Sequence, residues 1–135
     1  MPTQPQKRKI NPLAIIAIIL ILLALGMLFL IFAPGPRMKW ALTMGEKYLT
    51  DCECDYTQAV TMFSRAIRVD DRSEPAYWGR AQAYVQLGDS AAATSDLTYI
   101  IDEIGTENAD VYLTRADLYM DMGDTDAARA DLDAA

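Results

Sequence analysis

The chain has 135 residues, with 12 lysines or arginines, 19 aspartates or glutamates and no histidine, which excludes Ser-His-Asp and Cys-His catalysis and every histidine-containing metal site. Residues 1–12 carry three basic side chains, residues 13–33 carry no charge, and residues 34–135 carry nine basic against nineteen acidic side chains. This division of the chain into basic, uncharged and acidic segments argues against a soluble single-domain enzyme. The excess of acidic residues in 34–135 argues against a nucleic-acid-binding protein, which needs clustered Lys and Arg.

The first predicted element is an apolar helix at residues 13–33, which follows a basic amino-terminal tail at residues 1–12. Its length, at ~1.5 Å of rise per residue, is close to the thickness of a bilayer's hydrocarbon core. The alternative is a cleaved signal peptide. The apolar run is long for a signal core, residues 31–33 lack a small-x-small pattern, and Pro34 follows. We therefore predict a retained transmembrane anchor.

The charges that flank this segment predict its orientation. Basic residues 7–9 outweigh Arg37 and Lys39 on the other side, so the amino terminus is expected in the cytoplasm of a single-pass cell-membrane protein. The remaining hundred or so residues would then be extracytoplasmic. Two prolines and a glycine at residues 34–36 cannot continue the helix, which predicts a short linker at residues 34–39.

Residues 40–135 contain an internal repeat, which decides the expected fold. The first copy is offset from the second by 34 to 36 residues. Ala59 and Phe63 lie 34 residues before their counterparts in the second copy, whereas Gly45 and Tyr48 lie 36 residues before theirs. This difference predicts a two-residue insertion at residues 51–55. At a spacing of 35 residues, seven positions match between the second and third copies: Tyr77, Ala81, Tyr84, Gly88, Asp89, Ala93 and Leu97 with Tyr112, Ala116, Tyr119, Gly123, Asp124, Ala128 and Leu132.

Each copy has the apolar spacing of two amphipathic helices. Between the helices, Gly88 and Gly123 can adopt the left-handed conformation that ends a helix. The next residues, Asp89 or Ser90 and Asp124 or Thr125, can cap the second helix. Small residues are expected to let the paired helices approach while larger ones fill the space beside them. The small ones are Ala81, Ala93, Ala116 and Ala128, and the large ones are Tyr84, Leu97, Tyr119 and Leu132.

These residues resemble the tetratricopeptide repeat family, whose unit is a helix-turn-helix of about 34 residues. The resemblance covers about residues 38–135 and implies an all-α protein, in which the single amino-terminal transmembrane helix precedes an α-solenoid of about three units. The units are expected at about 40–73, 74–108 and 109–135. The matching positions are Trp40, Gly45, Tyr48, Ala59, Phe63 and Ala66 in the first copy, Tyr77, Ala81, Tyr84, Ala93 and Leu97 in the second, and Tyr112, Ala116, Tyr119, Ala128 and Leu132 in the third.

The resemblance implies binding of peptides or helices in a concave groove, not catalysis. The groove positions carried over from the family mix apolar side chains with acids and contain no base, which predicts a basic and apolar partner segment. The alternative is that these are ordinary solvated faces of acidic helices. The positions are Leu42, Glu46, Leu49 and Thr50, then Trp78, Gln82, Val85 and Gln86, then Leu113, Asp117, Met120 and Asp121.

The same positions differ from the co-chaperone members of the family, which bind acidic carboxyl termini with Lys, Arg and Asn. Here Gln82 and Asp117 stand where asparagine is expected, and Trp78 and Leu113 stand at lysine positions. An acidic tail would be repelled from such a groove.

Other chemistry is weakly indicated. An oxidising exterior would favour a disulfide between Cys52 and Cys54, and the alternative is two free thiols in a solvated turn. Two cysteines are too few for a structural zinc site, and the acids near residue 124 lack the spacing of a calcium loop. We expect no metal and no cofactor.

Together these features predict a membrane-anchored scaffold that binds a protein or peptide partner at the bilayer, and no enzymatic activity. Two alternatives stay open. The chain could be the anchor and docking module of a longer enzyme, sensor or secretion-system accessory protein whose remainder lies beyond residue 135. It could also be a cleaved and secreted binding module.

Overall fold

The computed structural model describes residues 12–32, 34–50 and 55–135. Within them the chain forms seven α-helices. Contacts divide the chain into two units, of which the first contains helix α1 (Pro12–Phe32) and the second extends from Pro34 to Ala135. The predicted all-α fold class is confirmed for the described residues.

Helix α1 has 21 residues and no charged side chain. Leu, Ile and Ala dominate it, and the large apolar side chains whose burial the structure describes are exposed, from 44% at Ile15 to 72% at Leu13. In the part of the chain that the structure describes, no helix combines the length and hydropathy of a candidate membrane span. The membrane anchor at residues 13–33 therefore stays a prediction.

The second unit begins with helix α2 (Pro34–Thr50). Residues 34–39, for which the sequence predicted a linker, form the first turns of this helix instead. The reason is that the first turn of a helix has no intrahelical partners for its N–H groups, so a proline there costs no hydrogen bond. The prolines mark the start of a new helix rather than an unstructured connection.

The second unit is a solenoid of three helix pairs, in which each helix packs against the next one along the chain. The predicted α-solenoid of helix-turn-helix repeats is confirmed. The fifth helix continues into a π-helical segment, Ile100–Ile104, which Gly105 closes by donating its N–H to the Ile100 carbonyl at 3.0 Å. The pairs are α2 with α3 (Tyr56–Val69), α4 (Glu74–Leu87) with α5 (Ser90–Tyr99), and α6 (Ala109–Asp121) with α7 (Thr125–Ala134).

The turns inside the second and third pairs follow the sequence prediction. Gly88 has φ of 74° and Gly123 has φ of 81°, so both adopt the left-handed conformation. Asp89 then caps α5 by accepting the Ala92 N–H, and Asp124 caps α7 in the same way. Of the two capping residues considered at each turn, the aspartate is the one that makes the side-chain cap.

Phe63 packs between the first two helix pairs. Its side chain is 1% exposed, and its ring lies directly over Gly45 of α2 and Gly79 of α4. A Cβ atom added at Gly45 would lie 2.7 Å from Cζ of this ring, and one added at Gly79 would lie closer still. The two glycines thus allow one aromatic ring of α3 to pack against two first helices of neighbouring pairs.

The core of the second and third pairs follows the predicted alternation of small and large residues, with one exception. Ala81, Ala93 and Leu97 are almost fully buried in one cluster with Val111 of α6. Leu132, the counterpart of Leu97, is 54% exposed, which corrects its expected role as a filler. Leu97 is covered by the next helix pair, whereas no described element packs over the same face of α7.

A buried ion pair joins the two helices of the second pair. Nε and Nη2 of Arg80 donate to the two carboxylate oxygens of Asp96 at 2.8 and 2.7 Å, and Nη1 donates to Ser64 Oγ of α3 at 3.1 Å. The hydrogen bonds to Asp96 raise the pKa of Arg80 above its usual value, although burial opposes this. One guanidinium therefore connects three consecutive helices.

The third pair repeats this arrangement 35 residues later. Arg115 donates to Asp131 at 2.8 and 2.6 Å and to Thr98 Oγ1 of α5 at 3.0 Å. Both aspartates are buried, at 5% exposure for Asp96 and 4% for Asp131. Because a buried carboxylate needs a paired cation, each arginine fixes the register of its helix against its neighbours.

Candidate functional site

One concave surface, which we call the groove, lies along α2 and α4 and reaches α6. It encloses a cavity of about 520 Å³. Its nine lining residues come from the end of α2, the first residue of α3, the length of α4 and one position of α6. They are Glu46, Leu49, Thr50, Tyr56, Trp78, Gln82, Val85, Gln86 and Thr114.

Helical spacing brings these side chains to one surface. On α4, Trp78, Gln82 and Val85 follow each other at intervals of four and three residues, which places them on one helix face. The other faces of α4 are used for packing, with Ala76 and Ala83 fully buried. The α4 side of the groove is thus the helix face that the neighbouring helices leave uncovered.

The structure brings most of the predicted groove residues of the first two units together. Those that line the cavity come from α2 and α4 only: Glu46, Leu49 and Thr50, then Trp78, Gln82, Val85 and Gln86.

The other predicted positions lie elsewhere. Leu42 is half-buried and packs against the clusters that contain Ala41 and Phe63. On α6 the predicted residues are exposed and do not line the cavity, which takes Thr114 from this helix instead. These α6 residues are Leu113, Asp117, Met120 and Asp121. Of the positions carried over from the family, three of the four on α2 and all four on α4 line the cavity, and none of the four on α6 does.

Two lining residues, Tyr56 and Thr114, were not among the predicted positions. Thr114 directly follows the predicted Leu113 in the chain. Tyr56 is the first residue of α3 and directly follows the cap residue Asp55, whose side chain accepts the Gln58 N–H at 3.0 Å. The cap marks where α3 begins, and this signal could have located Tyr56 at the mouth of the groove.

The chemistry of the groove is that of an apolar surface with one acid. Leu49, Trp78 and Val85 are half-buried apolar side chains, while Gln82 and Gln86 present exposed amides. Glu46 is the one charged residue among the nine, and it is exposed. Apolar side chains can hold a ligand's apolar groups, the amides can both donate and accept hydrogen bonds, and the carboxylate attracts a cation.

The remaining candidate chemistry concerns metal ions and the two cysteines. Among residues 12–32, 34–50 and 55–135, no group of three or more Cys, Asp or Glu side chains is placed to hold a metal ion. The proposed disulfide between Cys52 and Cys54 lies outside the described residues. It stays a prediction.

A second concave surface, which we call the basic pocket, lies between the start of α2 and the end of α3. Its cavity measures about 570 Å³. Its charged residues are arginines, and Trp40 on its wall is 53% exposed. Arg37 and Trp40 are three residues apart on α2, and two arginines are three apart on α3, a spacing that could have indicated it. The lining residues are Pro36, Arg37, Trp40, Ala41, Arg65, Arg68 and Val69.

Comparison with known proteins supports the resemblance to the tetratricopeptide repeat proteins. The family model described as tetratricopeptide repeat matches residues 109–135, which form the third helix pair. This match covers a minor part of the chain, so the fold assignment rests on the solved structures as well.

Two solved structures share the fold. The crystal structure of MamA is similar over 72% of this chain, with a TM-score of 0.66 and 23% sequence identity, and this chain spans 55% of that one. The second tetratricopeptide domain of Spaghetti (RPAP3), bound to the HSP90 peptide SRMEEVD, is similar over 76% of this chain and 94% of that one. Its TM-score is 0.67 at 18% identity. At these identities the likeness establishes the solenoid fold.

Proposed function

We propose that this protein is a binding scaffold that holds a basic and apolar segment of a partner protein in the groove. The observation that carries the proposal is the composition of the cavity between α2 and α4, which combines apolar side chains, amides and one carboxylate without any lysine or arginine. A partner segment that binds there needs apolar side chains for the floor and a positive charge for Glu46. We propose no catalytic role.

The floor of the groove supplies the apolar contact. Trp78 is a large side chain with a polar N–H, a combination that is common among the energetically dominant residues of interfaces. Leu49 of α2 lines the same cavity. Burial of a partner's Leu or Phe side chain against them would provide the main attraction.

The rim supplies orientation and selectivity. The amides of Gln82 and Gln86 are spaced four residues apart on α4 and can pair with the backbone of an extended segment or with polar side chains of a helix. Glu46 would favour a Lys or Arg of the partner and disfavour an acid. The same carboxylate is therefore expected to discriminate between partners by charge.

The proposed ligand differs in charge from the peptide that is bound to the Spaghetti domain. That peptide, SRMEEVD, carries three acids near its carboxyl end. The present groove offers no cationic lining residue to such a peptide. We infer that this chain uses the same fold for a ligand of the opposite charge.

We further propose that the scaffold is held at a membrane by α1. Support comes from the 21-residue uncharged helix and its exposed apolar side chains, together with the basic residues 7–9 that precede it. In this proposal the amino terminus is cytoplasmic and the solenoid is extracytoplasmic. Attachment would raise the effective concentration of the groove for partners at the same membrane without adding contacts.

The groove is tested by peptide selection on the full chain in detergent micelles. We expect random displayed peptides recovered by the wild-type protein to be enriched in Lys or Arg together with Leu, Phe or Trp. For a recovered peptide, Glu46→Lys should weaken binding roughly tenfold, which corresponds to ~1.4 kcal/mol. Fluorescence anisotropy of the labelled peptide measures the change.

The matched control is Asp117→Lys, which makes the same change of charge at an exposed position of α6 outside the cavity lining. It should change the affinity by about twofold or less, because exposed charges at a distance are screened. Recovery of acidic peptides, or equal losses for the two variants, would remove the basis for the groove proposal.

A further inference from the structure

We infer that the basic pocket binds the phosphate headgroup of an anionic phospholipid of the membrane to which the chain is attached. This inference rests on the proposed membrane attachment and adds a specific contact to it. The pocket has about 570 Å³ of space, which is large enough for a headgroup, and three of its seven lining residues are arginines. No acidic residue lines it.

The charge of the pocket contrasts with the rest of the second unit. Residues 34–135 carry nineteen acidic and nine basic side chains, yet Arg37, Arg65 and Arg68 converge on one cavity. Arg65 and Arg68 are exposed, and the interhelical ion pairs described above are made by Arg80 and Arg115. A guanidinium offers two parallel N–H donors to phosphate oxygens, which makes arginine the favoured side chain for such a ligand.

The apolar part of the pocket fits the boundary between headgroups and acyl chains. Trp40 is 53% exposed on the wall of the cavity, beside Ala41 and Val69. Tryptophan is enriched at the membrane interface because its ring is apolar and its N–H is polar. Arginines beside an exposed tryptophan therefore match both the charge of a phosphate and the mixed polarity that surrounds it.

The position of the pocket in the sequence favours a lipid over an acidic protein. Helix α2 starts two residues after α1 ends, and Pro36, Arg37 and Trp40 lie within its first seven residues. In the sequence these residues follow the end of α1 by only four to eight positions. If α1 is in the bilayer, the pocket is tethered to an anionic lipid surface by a short stretch of chain. Asp70, which directly follows the lining residue Val69, is not part of the lining.

The test uses the full chain reconstituted in vesicles of phosphatidylcholine with about 30% phosphatidylglycerol, a composition that gives a negative surface potential. In one preparation the phosphatidylglycerol is brominated in its acyl chains, and in the other the phosphatidylcholine is brominated. Bromine quenches nearby tryptophan, and Trp40→Phe supplies the background from Trp78. We expect brominated phosphatidylglycerol to quench Trp40 roughly twofold more per mole, because its headgroup is recruited.

Arg65→Gln and Arg68→Gln should each bring this ratio close to one, while Arg129→Gln, at an exposed position of α7, should leave it unchanged. Raising the salt concentration should lower the ratio as well, since contacts between exposed charges are screened. Equal quenching per mole by the two lipids in the wild type, or a ratio that does not respond to the two pocket variants, overturns the inference.

Co-flotation with the same vesicles separates this inference from the proposal that it rests on. A chain that floats with the vesicles but has equal quenching ratios keeps its anchor and lacks the headgroup site. A chain that does not float contradicts both the anchor and the site. Binding of a polyglutamate peptide that Arg65→Gln abolishes, together with equal lipid ratios, would assign the pocket to an acidic protein instead.

Discussion

The first helix pair and the two later pairs have the same backbone plan but different interiors. In the second pair, Arg80 and Asp96 form a buried ion pair that also reaches the preceding helix. The equivalent positions of the first pair, 36 and 34 residues earlier, hold Met44 and Met62. A bidentate charged contact in one pair is thus replaced by two flexible apolar side chains in the other.

The two kinds of pair are therefore held together by different interactions. The later pairs are fixed in register by directional hydrogen bonds, which tolerate little displacement. The first pair depends on shape, because Phe63 fits over Gly45 and Gly79. Both concave surfaces draw on the first pair, since α2 lines the groove and the basic pocket. The groove also draws on α4 of the second pair, whereas the basic pocket is lined by the first pair alone.

The largest expected effect comes from Arg80→Met. It leaves the Asp96 carboxylate, which is 5% exposed, without its cation. We expect a loss of about 3 kcal/mol in the free energy of unfolding, at the lower end of the range for broken buried ion pairs. Urea unfolding of the full chain in detergent micelles, followed by far-ultraviolet circular dichroism, measures it.

The double variant Arg80→Met plus Asp96→Met converts the second pair to the chemistry of the first. Because no buried charge is left unpaired, the double variant should lie within about 1 kcal/mol of the wild type. If the double variant is as unstable as the single variant, two methionines cannot replace the ion pair in the interior of the second pair.

A second effect, of about 2 kcal/mol, is expected for Gly79→Ala. The added Cβ would collide with the ring of Phe63, which is buried and cannot move away without disturbing α2. The gain in helix propensity of an alanine offsets part of the strain. The same urea titration reports the loss.

Gly35→Ala is the control, because no atom lies within 4 Å of the position of its Cβ. That substitution should change the stability by about 0.5 kcal/mol or less. Similar losses for both alanines would mean that the contact of Phe63 with glycine does not stabilise the first two pairs.

The smallest effect is expected for the aspartate caps, which all three pairs share. Asp55, Asp89 and Asp124 each cap the second helix of a pair by accepting a backbone N–H, at 3.0 to 3.1 Å. Replacing any of them by Ala should cost about 1 kcal/mol, and Asn should restore most of it. Unequal costs in the first and later pairs, measured by the same titration, would place the difference between pairs in their caps rather than in their interiors.

The fold could be predicted from the sequence because the repeat places turns and small residues at fixed intervals. Gly88 and Gly123 have the predicted left-handed conformation, and both following aspartates cap. The rule that proline ends a helix predicted a linker at residues 34–39 and missed the start of α2 at Pro34, because a proline can also begin a helix. The sequence pattern cannot separate these two roles where one helix directly follows another.

The two ion pairs described above could be predicted from the sequence, although the apolar pattern alone does not indicate them. Arg80 and Arg115 match at the spacing of 35, as do Asp96 and Asp131, and opposite charges that recur together in a repeat indicate a pair. Leu132 could not be judged in the same way, because its burial depends on a following helix pair and not on its own unit.

Seven of the twelve groove positions carried over from the family line the cavity, and all of them lie on α2 or α4: Glu46, Leu49, Thr50, Trp78, Gln82, Val85 and Gln86. On α6 the lining residue is Thr114, which was not among them. The π-helical segment Ile100–Ile104 and the longer junction after it precede α6, and a pattern of fixed spacing does not anticipate them. The basic pocket was missed because it lies outside the family's groove positions.

The proposed binding of a basic segment by the apolar side chains and single acid of the groove is tested by photo-crosslinking of a selected basic peptide to the full chain. The crosslinker is placed at Gln82 in one sample and at Asp117 in another. We expect a crosslink from position 82 that Glu46→Lys weakens, and little crosslinking from position 117. Crosslinking from position 117 alone, or crosslinking at position 82 that Glu46→Lys leaves unchanged, would exclude the groove as the binding surface.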